Sequence, residues 1–311
     1  MVMKLVSNNE AFSPHDEAAA AKLRALVCSA SIEATPRQIL ATERLPDMLP
    51  AGTCVYVPFL PRGQFSDTLE ACRHLVDVGL QPIPHVPARM AESRGQLRDW
   101  LAELDESGVD RLLLIAGDSD TAAGPFADTL AVLESGLLAQ FRFHGIGVAA
   151  HPDGHPMADR ATLTQALSIK REYARTTATR LWVVTQFTFD ADVVVDWLQS
   201  LGDVLEEVPV YIGMAGPTKV KTLIAYAAQC GVGASARLML RRPGSARLLR
   251  AWTPDGMVRA LVRYCLDNPD TLLRGIHLFP FGGLRQAARW IQEHSGSVED
   301  QRGPFHESSV Q

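Results

Sequence analysis

The chain carries no CxxC pair, and its five cysteines (Cys28, Cys54, Cys72, Cys230 and Cys265) lie far apart. That spacing excludes a zinc ribbon and a thioredoxin-type redox motif. An odd number of thiols, several in or beside apolar runs, reads as buried and reduced, the state a cytoplasm maintains. A charge excess is also missing. Thirty basic residues face 35 acidic ones, for a net charge of -5, and no Lys/Arg cluster stands out. The chain therefore has no electrostatic footprint for nucleic acid or for a membrane surface. No apolar run reaches the roughly 20 residues a membrane helix needs. The opening "MVMKLVSNNEAF" is broken by polar residues too early to read as a signal peptide. There is no G-x-S-x-G elbow for a serine hydrolase.

What remains is an ordinary globular composition, 47% hydrophobic and 21% charged over 311 residues. The dominant rhythm is a short β-rich run, a turn, then an amphipathic segment. Eight runs read as strands: Val27 to Ile32, Thr53 to Phe59, Gln81 to Val86, Arg111 to Ala116, Phe143 to Ala150, Arg180 to Phe187, Val208 to Met214 and Gly275 to Phe281. Helical patterns separate them. A first helix is expected in "SPHDEAAAAKLRAL", with Ser13 as cap and Pro14 at its first position. In "SDTLEACRHLVDVG" the residues Leu69, Cys72, Leu75 and Val76 share a face, with Ser66 as cap and Gly79 as a left-handed stop. "DVVVDWLQSLG" and "TKVKTLIAYAAQCG" have the same punctuation, and "PDGMVRALVRYCLDN" reads as an extra helix before the last strand.

Strands alternating with helices imply parallel pairing, because parallel neighbours need a crossover. An open doubly wound sheet would put a glycine-rich phosphate turn after an early strand. "SIEATP" has none, and "HGIGVAA" holds its Gly-x-Gly inside a strand. The pattern therefore predicts an α/β fold, a (β/α)8 TIM barrel with an extra N-terminal helix. It divides as an arm and helix over 1–26, a barrel catalytic domain over 27–294 and a polar, disordered tail over 295–311.

Barrel chemistry sits at the C-terminal strand ends. The residues that follow or close the runs are Glu33, His85 with Arg89, Asp118, the group His151, Asp153 and His155, Gln186, and the "FPFGG" after the last strand. Each has two readings. Glu33 is either an acid that suits a helix start or, in an apolar pocket, a proton donor near neutral pH. Asp118 is either an Asx-turn residue or a carboxylate at the mouth. His85 is either a structural donor or a ligand contact. Gln186 facing into a barrel needs polar partners. In "VAAHPDGHP" the prolines and glycine rule out the helix that would set His151 and His155 on one metal-binding face. The loop can instead face an anionic ligand.

The ordered set "SIEATP", "PHVPAR", "LLLIAGD", "VAAHPDGHP", the "IKR" helix, "VTQFTFD" and "HLFPFGG" resembles the 5,10-methylenetetrahydrofolate reductases, over roughly Val27 to Ile291. The resemblance implies a (β/α)8 barrel that holds FAD at its mouth. It further implies that NADH or NADPH reduces the flavin and that the hydride passes to methylenetetrahydrofolate, in service of methionine synthesis. Glu33 would be the general acid that opens the imidazolidine ring. Asp118 would bind pterin and stabilise the iminium beside the flavin. Gln186 and Phe279 would contact the folate. His85, Asp118, Phe126, Ala127, Ala149, His151, His155 and Arg171 match flavin-side positions. Tetrahydrofolate derivatives are the implied partners; no metal is implied, and a homo-oligomer is compatible with the pattern.

The sequence departs from the family at several flavin-side positions. His151 replaces an aromatic residue, Glu172 a lysine, Gln165 an acid and Ala116 an arginine. Pro58 stands where a hydroxyl residue often meets the flavin, and Val220 stands in place of a phenylalanine. An acid beside a pyrophosphate repels it. These changes bear on whether FAD is bound or NADH reduces the folate directly. A folate-dependent barrel methyltransferase and a non-catalytic folate- or flavin-binding subunit are the alternatives.

Overall fold

The structure is a computed structural model that describes residues 17–60, 63–229 and 251–295. Eight parallel strands close into a barrel. In chain order they are β1 (Ser31–Glu33), β2 (Cys54–Val57), β3 (Gln81–Pro87), β4 (Arg111–Ile115), β5 (Gly145–Ala150), β6 (Arg180–Thr185), β7 (Val210–Ala215) and, after a small ribbon, β10 (Leu273–Phe279). Strand β10 closes the ring between β7 and β1. The ribbon is antiparallel and pairs β8 (Thr218–Lys219) with β9 (Ala251–Trp252).

The helices are α1 (Glu17–Cys28), α2 (Pro36–Ala41), α3 (Leu45–Met48), α4 (Phe65–Asp77), α5 (Arg94–Glu106), α6 (Thr129–Glu134), α7 (Arg160–Thr177), α8 (Ala191–Leu201), α9 (Val220–Gln229), α10 (Asp255–Asp267) and α11 (Leu284–Ser295). The fold class is thus the expected α/β barrel with an additional N-terminal helix, and α10 is the extra helix before the last strand. None of the described helices is long and apolar enough to cross a membrane.

Several sequence expectations shift by a few residues. The first run does not start a strand at Val27: Val27 and Cys28 end α1, and β1 begins only at Ser31. The apolar run hid a helix end, because Leu26 and Val27 are buried on the helical face. The last strand is Leu273–Phe279, so Phe281 lies beyond it. Helix α4 begins at Phe65, capped by Gln64 and Asp67 rather than by Ser66. Gly79 does take the left-handed turn, at φ +76°, while Val76 turns outward to solvent. Thr218 and Lys219, expected in a helix, pair with the ribbon. Ser13 and Pro14, Cys230 and residues 296–311 lie outside the described residues.

Strand alternation sorts the side chains into two cores. Ile32, Val55, Val57, Leu112, Leu114, Val148, Val183 and Ile212 face outward and pack with the helices. Tyr56, Ile83, Leu113 and Val184 fill the barrel interior, with Trp182 and Tyr211 packed against them. The Gly-x-Gly of β5 belongs to this interior. A Cβ on Gly147 would lie 2.7 Å from the Trp182 ring, so glycine there makes room for the indole.

Candidate active site

Short strands and tight caps deliver the mouth residues. β1 ends on Glu33, and the chain turns at once into α2 through a capping box of Thr35 and Gln38, with Pro36 at the first helical position. Glu33 is thereby held at the rim. Its neighbour in register on β2 is Tyr56, which is buried. His85, on β3, brings Nε2 to 3.7 Å from Glu33 Oε2. Both side chains are mostly enclosed, 12% exposed for His85 and 22% for Glu33. Enclosure penalises the charged form of each. Burial pushes the Glu33 carboxyl up to about 7 and holds the His85 imidazole down to about 4. At neutral pH the histidine is uncharged and the acid is about half protonated. His85 Nε2 is sealed from water and has no hydrogen-bond partner.

Beneath this pair lies a layer the sequence reading missed. His277 on β10 shares a hydrogen bond of 2.9 Å between Nδ1 and Ser31 Oγ. Its ring lies 4.4 Å from that of Tyr56, and Trp182 Nε1 donates to the Tyr56 hydroxyl at 2.8 Å. Burial, then the nearby His85, lowers the His277 imidazole to about 3. Period-two counting could have found these residues: Ser31 is two before Glu33, and His277 is two before Phe279.

The loop after β4 carries Asp118, Phe126 and Ala127. Arg89 staples it: Nε donates to Ala127 O at 2.7 Å and Nη1 to Ser119 O at 2.9 Å. Phe126 is buried, whereas Asp118 and Ala127 are exposed. Among the described residues Asp118 has no hydrogen bond or ion pair, and the Asx turn weighed for it does not form.

The β5 loop forms a histidine wall. The His151 and His155 rings meet edge to face at 4.7 Å, and His155 Nδ1 accepts from the Met157 amide. Asp153 accepts a hydrogen bond from Thr188. Ala149 lies half-buried near the end of β5. Burial, His155 and the Lys170 charge lower His151 to about 4. Lys170 itself is buried on the inner face of α7, with its ammonium lowered to about 8, chiefly by burial. The sequence reading overlooked Lys170, although its spacing from Leu167 and Ala174 marks the buried helix face.

Three flavin-side positions share α7. Arg171 Nη1 pairs at 2.8 Å with Glu206, which precedes β7 and so sits at the opposite end of the barrel. Glu172 is exposed and pairs with Arg175. Gln165 is exposed on the same helix.

Across the mouth stands an aromatic wall. Gln186 directly follows β6; its side-chain oxygen accepts from the Phe187 amide at 3.0 Å, leaving its NH2 unpartnered among the described residues. Phe187 meets Phe279 and Phe281 edge to face. Tyr226 of α9 stacks on Phe281 at 4.2 Å, and Trp252 of the ribbon meets Phe189 at 5.5 Å. Gly213 admits this crowding: a Cβ there would collide with the carbonyl of Thr185 and with the Phe279 ring. Of this wall the sequence reading named only Gln186 and Phe279.

No protein-family model matches the chain. Among solved structures it is similar to a protein from Clostridium thermocellum that binds two copies of 5-methyl-5,6,7,8-tetrahydrofolic acid. The two are 12% identical, the match covers 86% of this chain and 93% of that one, and the TM-score is 0.58. A dihydropteroate synthase from Thermus thermophilus is 15% identical over 86% of this chain and 93% of its own, with a TM-score of 0.43. Identities this low speak to the shared barrel fold alone.

Proposed function

We propose that this chain is a folate-dependent oxidoreductase that interconverts 5,10-methylenetetrahydrofolate and 5-methyltetrahydrofolate. The observation that carries the reading is Glu33, a carboxyl enclosed at a barrel mouth 3.7 Å from His85, where burial pushes it up to about 7. Opening the imidazolidine ring breaks a C–N bond, and the departing nitrogen must take a proton. A neutral carboxylic acid at the reacting centre supplies it. The cation left on the one-carbon unit then takes a hydride. The exposed carboxylate of Asp118, on a loop fixed by Arg89, supplies the opposite charge. The Gln186 NH2 donates to the pterin or benzoyl amide. Phe279 and its aromatic neighbours take the planar rings by stacking. The likeness in fold to a barrel that binds 5-methyltetrahydrofolic acid supports the ligand class.

The flavin-side residues do not fit FAD. A dinucleotide diphosphate needs cations or free amides facing it. Arg171 is engaged with Glu206 at the far end of the barrel, position 172 is a glutamate, and Lys170 is buried. The hydride in this reading comes directly from NADH or NADPH, whose own diphosphate must be held away from these positions. A binding-only subunit gives the protonated Glu33 no task.

The test is anaerobic oxidation of NADH or NADPH on adding methylenetetrahydrofolate to protein that shows no visible flavin absorption. Turnover without flavin is expected. Turnover that starts only with a methyl acceptor, or only with added FAD, overturns the respective half of the reading.

A further inference from the structure

Helix α10 opens with "DGMV" after Thr253 and Pro254, and an aspartate in a first helical turn is ordinarily a surface acid favoured by the helix dipole. Asp255 is not left to solvent: its side chain is only 25% exposed. Its carboxylate gathers three donors. Oδ1 accepts from Trp290 Nε1 at 3.3 Å and lies 2.8 Å from His294 Nε2, both on α11, and the Thr253 hydroxyl donates to the same carboxylate. The second His294 nitrogen, Nδ1, lies 2.8 Å from the Trp290 carbonyl. Both ring nitrogens thus face oxygens that only accept, an arrangement that suits the imidazolium form. The His294 ring also stacks on Trp290, with centroids 4.4 Å apart. Burial pushes the Asp255 carboxyl up, but the Thr253 and Trp290 hydrogen bonds and the charges of His294 and Arg259 outweigh it and hold the acid below its ordinary value.

We propose that Asp255 is a positioning residue that sets Trp252 in the aromatic wall of the mouth and thereby tunes the binding of planar ligand rings. The inference rests on the reading of that wall as the folate platform. The path from Asp255 to Trp252 is short. It runs through Pro254, which is buried and fixed in φ by its ring, and Thr253, which is tied to the carboxylate. Beyond them the Trp252 indole donates to Ala215 O, at the end of β7, at 3.3 Å and meets Phe189 edge to face at 5.5 Å. The ribbon pairs Trp252 with Thr218. One side of this segment is therefore pinned to the barrel and the other to α11. Asp255 acts through Trp252 and not on the ligand.

The joint matters because both segments it ties carry rings of the same wall. Helix α10 follows directly on Trp252 through Thr253 and Pro254. Helix α11 begins at Leu284, just after the "FPFGG" that holds Phe279 and Phe281. Locking α10 to α11 therefore fixes Trp252 relative to Phe279 and Phe281, and a ring platform works only while its faces keep their spacing. The charges around the joint support it. Arg259, on α10, faces Asp255. Arg289 and Glu293, beside His294 on α11, pair with each other at 2.7 Å.

Two measurements test it. In ligand-free protein labelled with 5-fluorotryptophan, fluorine NMR resolves the five tryptophans, and Trp252→Phe assigns the Trp252 signal. Asp255→Ala should shift or broaden that signal and leave the signal of Trp182, inside the barrel, in place. His294→Ala breaks the same joint from α11 and should move Trp252 the same way. A Trp252 signal that stays in place in either variant overturns the proposal without touching the folate reading. In turnover, Asp255→Ala should raise KM for methylenetetrahydrofolate about fivefold or more with kcat within about twofold, and Asp255→Asn, which keeps an oxygen acceptor, should recover most of the loss. An unchanged KM, or a fall in kcat alone, overturns it. Arg111→Met, a loss at the far end of the barrel, should leave KM unchanged; an equal rise there would overturn the proposal, because general loosening would then suffice. Absence of turnover in the wild type would instead sink the folate reading and leave the NMR result to decide on Asp255.

Discussion

The floor and the mouth of this barrel are made of similar residue types and treat them oppositely. At the floor, Arg111 donates to Gln81 Oε1 at 2.8 Å, and Cys54 donates to the same oxygen at 3.5 Å. In the middle layer, Ser31, His277, Tyr56 and Trp182 are matched in the same way. At the mouth, Glu33 and His85 face each other without a hydrogen bond, and the Gln186 NH2 and Asp118 have no partner among the described residues. Matched polar groups hold a barrel interior together; a sealed unmatched one such as His85 Nε2 carries a cost, whereas the exposed Asp118 stays solvated and free to meet a ligand. The contrast locates the chemistry more sharply than residue type does.

The largest effect should come from Glu33→Gln. The variant keeps the shape of the acid but has no acidic proton to give. We expect folate reduction to fall by about 10²–10⁴-fold, the usual weight of a general acid. Binding of 5-methyltetrahydrofolate, followed by protein fluorescence, should change by no more than a few-fold. Wild-type turnover in this variant would remove Glu33 from the role. In the wild type the rate should fall as pH rises past about 7, where the acid ionises.

Much of this was legible before any coordinates. Alternating strands and helices gave the barrel, because parallel pairing demands crossovers and the phosphate turn of an open sheet is missing. Glu33 was legible because strand ends point at the mouth. The middle layer was legible only in part: period-two counting marks Ser31 and His277, but their partners are set only when closure brings β1, β2 and β10 together. The aromatic wall was hidden for the same reason: Phe189, Tyr226 and Trp252 come from three separate segments. Arg171 was placed by resemblance, and a helix position alone does not say which end of the barrel its long side chain reaches.

The second effect is on stability and has a defined sign. The folded-state pKa of Glu33, about 7, lies above its ordinary value. The native protein therefore holds a proton that the unfolded chain releases between about pH 4.3 and 7, so stability falls as pH rises through that window. The full difference is on the order of 3 kcal/mol. His85 and His277, lowered to about 4 and about 3, lean the other way. Their stabilisation is present above about pH 6.5 and is lost as pH falls toward their folded values. Urea unfolding at pH 5, 6.5 and 8 should show Glu33→Gln gaining on the wild type as pH rises. A constant difference between the two proteins would mean that the carboxyl titrates normally.

A smaller effect should come from the floor. Arg111→Met leaves the Gln81 oxygen short of a strong donor and should cost about 1–3 kcal/mol. Because the floor is remote from the mouth, kcat and KM of the folded variant should stay within twofold of wild type. A large loss of kcat with normal stability would mean that the floor also shapes the reaction.

The smallest expected effect separates the two ends most directly. Arg171 pairs with Glu206 before β7, and the glutamate is largely solvent-exposed. A pair of this kind contributes at most about 1 kcal/mol. Arg171→Met should therefore lower the melting temperature slightly and leave nicotinamide affinity and turnover unchanged. An arginine bound to a diphosphate would behave differently: its loss would weaken cofactor binding by tenfold or more, and higher salt would weaken the wild type toward the variant. Measuring the KM for NADH of both proteins at low and high salt distinguishes the cases. A salt-dependent, tenfold rise in the variant would show that Arg171 leaves Glu206 to serve the mouth, and the diphosphate fit would have to be reopened.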